Sequence, residues 1–118
     1  MEGLEKWVNF CLSFSDSYQD YPFGEGWIVF RHRKNQKLFA MFYERMGKLC
    51  VNLKCDPLRA DFLRRALPWV TPGYHMNKTH WNTVWLDQAD WDETCSMILH
   101  SYLLTAGKPV FKGERYER

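Results

Sequence analysis

The sequence predicts a small α+β protein with two layers, in which helices cover one face of an antiparallel sheet. Apolar residues recur at helical spacing near both ends of the chain and once between them. Segments with a period of two lie between these, and the short turns that join them favour antiparallel pairing. A chain of 118 residues is long enough for one hydrophobic core. We therefore expect one domain over residues 1–107, with about five strands in the order α-β-β-β-α-β-β-α.

The first predicted element is an amphipathic helix near the N-terminus. Its apolar residues share one helical face and are Leu4, Trp7, Val8, Cys11 and Phe14. The polar run Ser15-Asp16-Ser17 ends this helix, and a turn-rich connector at residues 21–26 leads into the sheet.

Three strands are predicted next, joined as a meander. Residues 27–32 and 38–44 alternate around a polar turn, and a tight turn then leads to residues 49–53. Side chains of alternate residues in a strand point to opposite faces of the sheet. Loops this short favour antiparallel neighbours.

Two further helices are predicted, with strand structure between them. Asp56-Pro57 is a strong helix start, because the carboxylate accepts free amides and Pro needs no donor there. Pro68 and Pro72 prevent continuation, and the following strand ends near Leu86. A third helix begins at Asp90, and its predicted buried stripe is Trp91, Cys95, Ile98, Leu99, Tyr102 and Leu103. The charged tail at residues 108–118 is expected to be disordered.

The segment from Val70 to Val84, VTPGYHMNKTHWNTV, has the pattern of an exposed functional loop. Its middle shows neither helical nor strand periodicity and is rich in hydrogen-bonding side chains, namely Tyr74, His75, Asn77, Lys78 and His80. Lys78 could bind phosphate, Asn77 could contact a base edge, and the rings could stack on unpaired bases. The alternative is that Asn77 and His80 hydrogen-bond the backbone of the loop and hold its turn.

A second candidate site is the turn between the first two predicted strands. It contains no acid and carries four positive side chains, Arg31, Arg33, Lys34 and Lys37. These residues could neutralise DNA phosphates with little sequence preference. The alternative is a solvated hairpin that protects a sheet edge. Arg59, Arg64 and Arg65 could extend a basic surface, although we expect ordinary solvated helix residues there.

Charge is unevenly distributed, although the net charge is only +2. Residues 31–78 contain eleven Lys or Arg against three acids, whereas the remaining residues are acidic overall. This split favours one basic and one acidic face. Blocks of sequence could also interleave in space and cancel.

Known catalytic and metal-binding patterns are absent from the sequence. There is no CxxC pair, no GxSxG elbow, no HExxH and no glycine-rich phosphate loop. The four cysteines are expected to be reduced and structural. We expect no enzyme activity, no cofactor and no metal. Neither a signal peptide nor a membrane-spanning segment is evident, so a cytoplasmic location is expected.

Several segments together resemble the MmcQ/YjbR family of small bacterial proteins. They are Tyr21-Pro22-Phe23-Gly24, Val51-Asn52-Leu53-Lys54-Cys55-Asp56-Pro57, the loop described above and Ser101-Tyr102. The resemblance covers roughly residues 1–106. It implies a fold similar to that of secretion chaperones, a "double wing" that contacts DNA, and no catalytic residues.

These observations favour a non-enzymatic DNA-binding protein whose two wings are the basic turn and the loop. An alternative is a protein or peptide interaction module that uses an open sheet face. A small-ligand site beneath residues 75–81 is a third possibility. The oligomeric state is left open, and a monomer is favoured.

Overall fold

A computed structural model describes residues 3–107 of the chain. These residues form three helices and a six-stranded sheet, with bounds α1 Leu4–Leu12, β1 Ser17–Asp20, β2 Ile28–His32, β3 Leu38–Arg45, β4 Lys48–Lys54, α2 Pro57–Ala66, β5 Val70–Pro72, β6 Trp81–Trp85 and α3 Trp91–Thr105. The strand order is β1-β2-β3-β4-β6-β5, and every neighbouring pair is antiparallel. The predicted disorder of residues 108–118 lies outside the described residues.

The predicted α+β class and antiparallel sheet are confirmed, with one more strand than expected. β1 pairs along the edge with β2, from Ser17 opposite His32 to Asp20 opposite Val29. Its sequence, SYQD, shows no alternation of apolar and polar residues. All four residues are half-buried at the sheet edge, where no fully apolar face is needed. This segment is therefore a strand because it pairs with β2, and its own sequence pattern does not predict one.

All three helices pack on one face of the sheet and enclose the main core. That core contains side chains from the helices and from the central strands, among them Trp7, Phe30, Phe42, Val51, Leu63, Val84 and Ile98. A register shift after Phe30 places Arg31 opposite Leu38. Because of this shift, Phe39 joins the helix-side core while Leu38 packs on the opposite face.

The buried line of α3 is more polar than predicted. The expected stripe is wrong at Trp91, Leu99 and Leu103, which are 38%, 44% and 61% exposed. Ser101 is buried instead: its hydroxyl donates to Phe39 O at 2.6 Å and accepts from Lys54 N at 2.9 Å. α3 therefore turns the hydroxyl of Ser101 toward the sheet, where it satisfies backbone groups of β3 and β4, while Leu99 and Leu103 lie outward.

The face opposite the helices carries a second, smaller apolar cluster. Four side chains there are buried, Val29, Met41, Tyr43 and Cys50. Tyr74 and Met76, from the segment between β5 and β6, pack against this cluster. That segment therefore covers part of the face that the helices leave open.

Candidate nucleic-acid interface

The hairpin turn, residues 33–37, and the loop, residues 73–80, leave the sheet at the same end. Ala40 near the start of β3 lies opposite Leu53 near the end of β4. Leu53 in turn lies opposite Asn82 near the start of β6. Both predicted wings therefore lie at the same end of the sheet, and β4 separates the strand pair β2–β3 from the pair β6–β5.

The hairpin turn is held at several backbone positions. Arg33 N donates to Asp16 O at 2.8 Å, and Lys34 N donates to Asp16 Oδ2 at 3.0 Å. On the other side, Asn35 Nδ2 donates to Thr105 O at the end of α3, at 2.9 Å. The turn is therefore held on one side by Asp16 and on the other by the end of α3, so its backbone has a fixed conformation.

The four cations of this region have different environments. Arg31 is half-buried, and its Nε lies 2.9 Å from Asp20 Oδ2, so the charge is compensated. Arg33 is exposed, with its guanidinium 5.0 Å from the ring centre of Tyr18. Lys34 and Lys37 are exposed, and within residues 3–107 neither makes a side-chain ion pair. The outward-facing positive charge is thus that of Arg33, Lys34 and Lys37.

The start of the loop requires glycine. A Cβ atom added to Gly73 would lie 2.7 Å from Trp81 Cβ and 2.9 Å from Trp81 O. This close approach lets Gly73 N donate to Trp81 O at 2.9 Å, which closes the loop at its base. His75 has a φ of 61° in the left-handed region, so the chain turns sharply there.

Two of the predicted ligand-binding side chains bind the loop itself. Lys78 Nζ donates to Gly73 O at 2.8 Å, and Asn77 Oδ1 accepts from Thr79 N at 2.9 Å. The Asn77 contact matches the alternative in which loop side chains hold the turn, and Lys78 takes the same part although it was predicted to bind phosphate. His75 and His80 remain exposed, whereas Tyr74 is half-buried.

Arg64 of α2 also holds the loop, which the sequence reasoning did not anticipate. Its Nε donates to Asn82 Oδ1 at 2.6 Å, and its guanidinium also donates to the carbonyl oxygens of Lys78 and Trp81, the latter at 3.1 Å. The sequence offered one indication of this role. Arg64 directly follows Leu63 and lies one turn after Ala60, so it belongs to the buried side of α2.

A buried polar network joins the loop to the sheet. Tyr43 Oη and Thr83 Oγ1 each donate to Asn52 Oδ1 at 2.7 Å. Asn52 Nδ2 donates to Tyr74 O at 2.9 Å, and Tyr74 N donates to Thr83 Oγ1 at 2.9 Å. Burial raises the pKa of Tyr43 to about 12, so its hydroxyl remains a donor at neutral pH.

Aromatic rings continue from the sheet into the loop. Trp27 stacks on Tyr43 with ring centres 4.7 Å apart, and Tyr43 stacks on Tyr74 at 5.8 Å. His75 lies 4.0 Å from Tyr74, and the guanidinium of Arg45 lies 3.9 Å from the same ring. The conformation of the loop is therefore set by stacking as well as by hydrogen bonds.

An apolar groove of about 350 Å³ lies beside the loop. It is lined by Phe23, Trp27, Leu38, Met41, His75 and Met76. Leu38 directly follows the hairpin turn, and His75 and Met76 belong to the loop. The groove therefore connects the two predicted wings.

The thiols in the described residues have raised pKa values. Burial raises the pKa of Cys50 to about 11, and burial likewise raises the pKa of Cys11, Cys55 and Cys95. These groups are protonated at neutral pH and are therefore weak nucleophiles. Within residues 3–107, no three His, Cys, Asp or Glu side chains gather in a metal-binding arrangement. None of the helices in that range is long and apolar enough to cross a membrane.

Proteins of similar sequence are known in several bacteria. Escherichia coli (strain K12) YjbR, an uncharacterized protein, is 39% identical over 84 residues, covering 71% of this chain and 70% of that protein. Bacillus subtilis YyaQ, also uncharacterized, is 32% identical over 99 residues, covering 73% and 83%. Escherichia coli O157:H7 YbdF is 38% identical over 65 residues, or 55% of this chain, and the match spans only 52% of that protein.

Solved structures share the fold. The crystal structure of Deinococcus radiodurans protein DR2400 has a TM-score of 0.81 at 32% identity, covering 95% of this chain and 84% of that one. A crystal structure of a Pseudomonas syringae protein has a TM-score of 0.78 at 30% identity, covering 89% and 99%. A sequence model of the family described as YjbR matches residues 12–104. These matches confirm the resemblance seen in the sequence, and the chain belongs to the YjbR family.

Proposed function

We propose that this protein binds DNA through phosphate contacts made by the hairpin turn. The observation that carries the proposal is the placement of Arg33, Lys34 and Lys37 as exposed cations on a turn fixed at Asp16 and Thr105. A fixed turn loses little conformational freedom when it binds, so less of the electrostatic attraction is offset.

The other predicted contact residues have separate parts in this proposal. Arg31 is paired with Asp20 and positions the strand end, while Lys78 and Asn77 hold the loop closed. The exposed rings of His75 and His80 are left to contact the nucleic acid, with Tyr74 supporting His75 from beneath.

The protein is proposed to act by binding alone, in the cytoplasm and as a monomer. Support for a non-catalytic role comes from the raised pKa values of its thiols, which make poor nucleophiles. Three of the four cysteines are buried and all are free, as suits a reducing compartment.

Fluorescence anisotropy with labelled DNA at several salt concentrations tests the proposal. The wild-type protein should show log affinity falling linearly with log salt concentration. The triple variant R33A/K34A/K37A should lose affinity at every salt concentration, with the slope reduced by roughly 2 to 3.

A second triple variant controls for the loss of net charge. Lys6, Lys48 and Arg65 lie outside the hairpin turn, and K6A/K48A/R65A removes the same formal charge. This variant should retain nearly the wild-type affinity and slope. Equal losses in the two triple variants would show that only net charge matters, which would contradict a hairpin interface.

A second candidate function is binding of a protein partner. The observation that favours it is the outward row of leucines on α3, where Leu99, Leu103 and Leu104 are 44%, 61% and 43% exposed. An apolar interface of this kind should respond little to salt. In a pull-down, this function predicts that Leu103→Asp abolishes capture of the partner protein. The hairpin variant R33A/K34A/K37A should capture it as the wild type does.

A further inference from the structure

We infer that the apolar groove receives an unpaired nucleobase, so that the preferred ligand is single-stranded rather than duplex DNA. This inference rests on the proposed DNA-binding function and specifies its ligand. It assigns a role to side chains that phosphate contacts do not use, those of Phe23, Trp27, Leu38, Met41 and Met76.

The groove has the size and the lining that a flat ring requires. Its volume of about 350 Å³ is within the range of small-molecule sites. Trp27 is held in place by stacking on Tyr43 at 4.7 Å, while Phe23 is 60% exposed at the rim. A ring bound in the groove would cover apolar surface that now faces water.

Recognition in the groove should depend little on base identity. Of its six lining residues, only His75 and the indole N–H of Trp27 offer polar side-chain groups. Base edges would therefore find few hydrogen-bonding partners, whereas every base offers a flat face for stacking. This agrees with phosphate contacts, which also carry no sequence information.

Charge at one end of the groove suits a nucleic-acid strand. Leu38 lines the groove and is preceded by Lys37, and Arg33 and Lys34 belong to the same turn. On β1, the carboxylate of Asp20 is compensated by Arg31 at 2.9 Å. Two acids lie on the segments that border this path: Asp16, whose Oδ2 accepts from Lys34 N at 3.0 Å, and Glu25, on the connector that carries Phe23. A base in the groove thus places its flanking phosphates toward the cations of the hairpin turn.

A duplex cannot use the groove without breaking a base pair. In double-stranded DNA each base is stacked within the helix and paired, so inserting it costs the energy of extrusion. A single strand exposes the same ring at much lower cost. Single-stranded DNA should therefore bind at least about tenfold more tightly than a duplex of the same length.

Methionine-methyl NMR reports on the groove directly. Met41 and Met76 line it, whereas Met46 is exposed at the turn after β3 and Met97 is buried in the helix-side core. Titration with an oligothymidylate of about eight nucleotides should shift the Met41 and Met76 signals and leave those of Met46 and Met97 in place. A duplex of equal length should shift the first two much less.

A matched pair of phenylalanine variants completes the test. Phe23→Ala removes an exposed ring at the groove, and Phe62→Ala removes a ring of similar exposure, 65%, on α2. Phe23→Ala should weaken oligothymidylate binding about tenfold and leave duplex binding unchanged, since one stacking contact is lost. Phe62→Ala should bind both as the wild type does.

The possible outcomes separate the inference from the function on which it rests. Equal binding of single strand and duplex, with no effect of Phe23→Ala, would overturn the groove assignment and leave the hairpin interface standing. Failure to bind either form of DNA would remove both. Shifts of Met41 and Met76 with an apolar peptide but not with oligothymidylate would make the groove a peptide site, again overturning the inference.

Discussion

Arg64 and Asn82 connect α2 to β6 through a hydrogen bond of 2.6 Å from the guanidinium Nε to the amide oxygen. The other end of the same amide donates to Ala60 O at 3.3 Å, so Asn82 is bound on both sides by α2. Because Arg64 also donates to the carbonyls of Lys78 and Trp81, the helix fixes the end of the loop. An arginine expected to be an ordinary solvated residue thus holds the candidate site in shape.

Replacing Arg64 with Ala should loosen the loop and destabilise the protein. The change removes charged hydrogen bonds and leaves Asn82 Oδ1 buried without that donor, so the free energy of unfolding should fall by about 2 kcal/mol. Urea denaturation measures this loss, and hydrogen exchange should become faster in residues 73–80. Arg65→Ala is the control, since its exposed i,i+4 pair with Asp61 contributes only about 0.3–0.5 kcal/mol. Equal effects of the two variants would contradict the assigned role.

Gly73→Ala should be more harmful than Gly26→Ala. At position 73 the added methyl group would lie 2.7 Å from Trp81 Cβ, so the base of the loop must shift, at a cost of about 1–3 kcal/mol. At position 26 a Cβ meets no heavy atom within 4 Å, and a change within about 0.5 kcal/mol is expected. Thermal denaturation of both variants tests the difference, and comparable midpoints would argue against tight closure of the loop.

The Asn52 amide should contribute more to stability than the Tyr43 hydroxyl. Tyr43→Phe removes one donor, while Asn52 Oδ1 keeps its bond from Thr83, so the cost should be about 1 kcal/mol. Asn52→Ala removes the acceptor that the buried hydroxyls of Tyr43 and Thr83 share, together with the donor to Tyr74 O, and should cost about 3 kcal/mol or more. Urea denaturation gives both values, and the reverse order would show that the network is not organised around Asn52.

Stability should decrease as the pH falls below about 6.5. Burial lowers the pKa of His32, and burial together with Arg59 lowers the pKa of His100. The unfolded chain then binds protons at a pH where the folded protein does not, so acidification favours unfolding. The stabilisation is complete above the unfolded pKa and is lost as the pH falls toward the folded values.

Denaturation at pH 7.5 and 5.5 measures this dependence. His100 Nε2 accepts a hydrogen bond from Asp56 N at 3.2 Å, which protonation of that nitrogen would abolish. His100→Gln should therefore reduce the difference in unfolding free energy between the two pH values. A pH dependence identical in the wild type and His100→Gln would exclude a contribution from this histidine.

Local chemistry was enough to predict the helix starts, the central strands and the family. Asp56 and Asp90 cap their helices, accepting from Arg59 N at 3.4 Å and Glu93 N at 2.9 Å. These features depend on residues close together in the chain, which is why short patterns reveal them. The family resemblance is likewise carried by short runs of sequence, and the match to residues 12–104 confirms it.

The candidate site was predictable only as a set of residue types. Which cations are compensated depended on the path of the folded chain: Arg31 meets Asp20 of the neighbouring strand, and Lys78 meets the carbonyl oxygen of Gly73 across its own loop. A long flexible side chain can reach several acceptors, and sequence does not indicate which of them lies nearby. The inward turn of Lys78 and the compensation of Arg31 therefore became evident only in the folded structure.

The chain's own amino-acid pattern thus specified an α+β sheet with helices on one face, because periodicity and capping act over a few residues. Tertiary packing decided the extra edge strand, the polar inner line of α3 and the groove between Phe23 and Met76. Each of these arises where segments far apart in sequence meet, and its energy depends on contacts that neither segment can make alone.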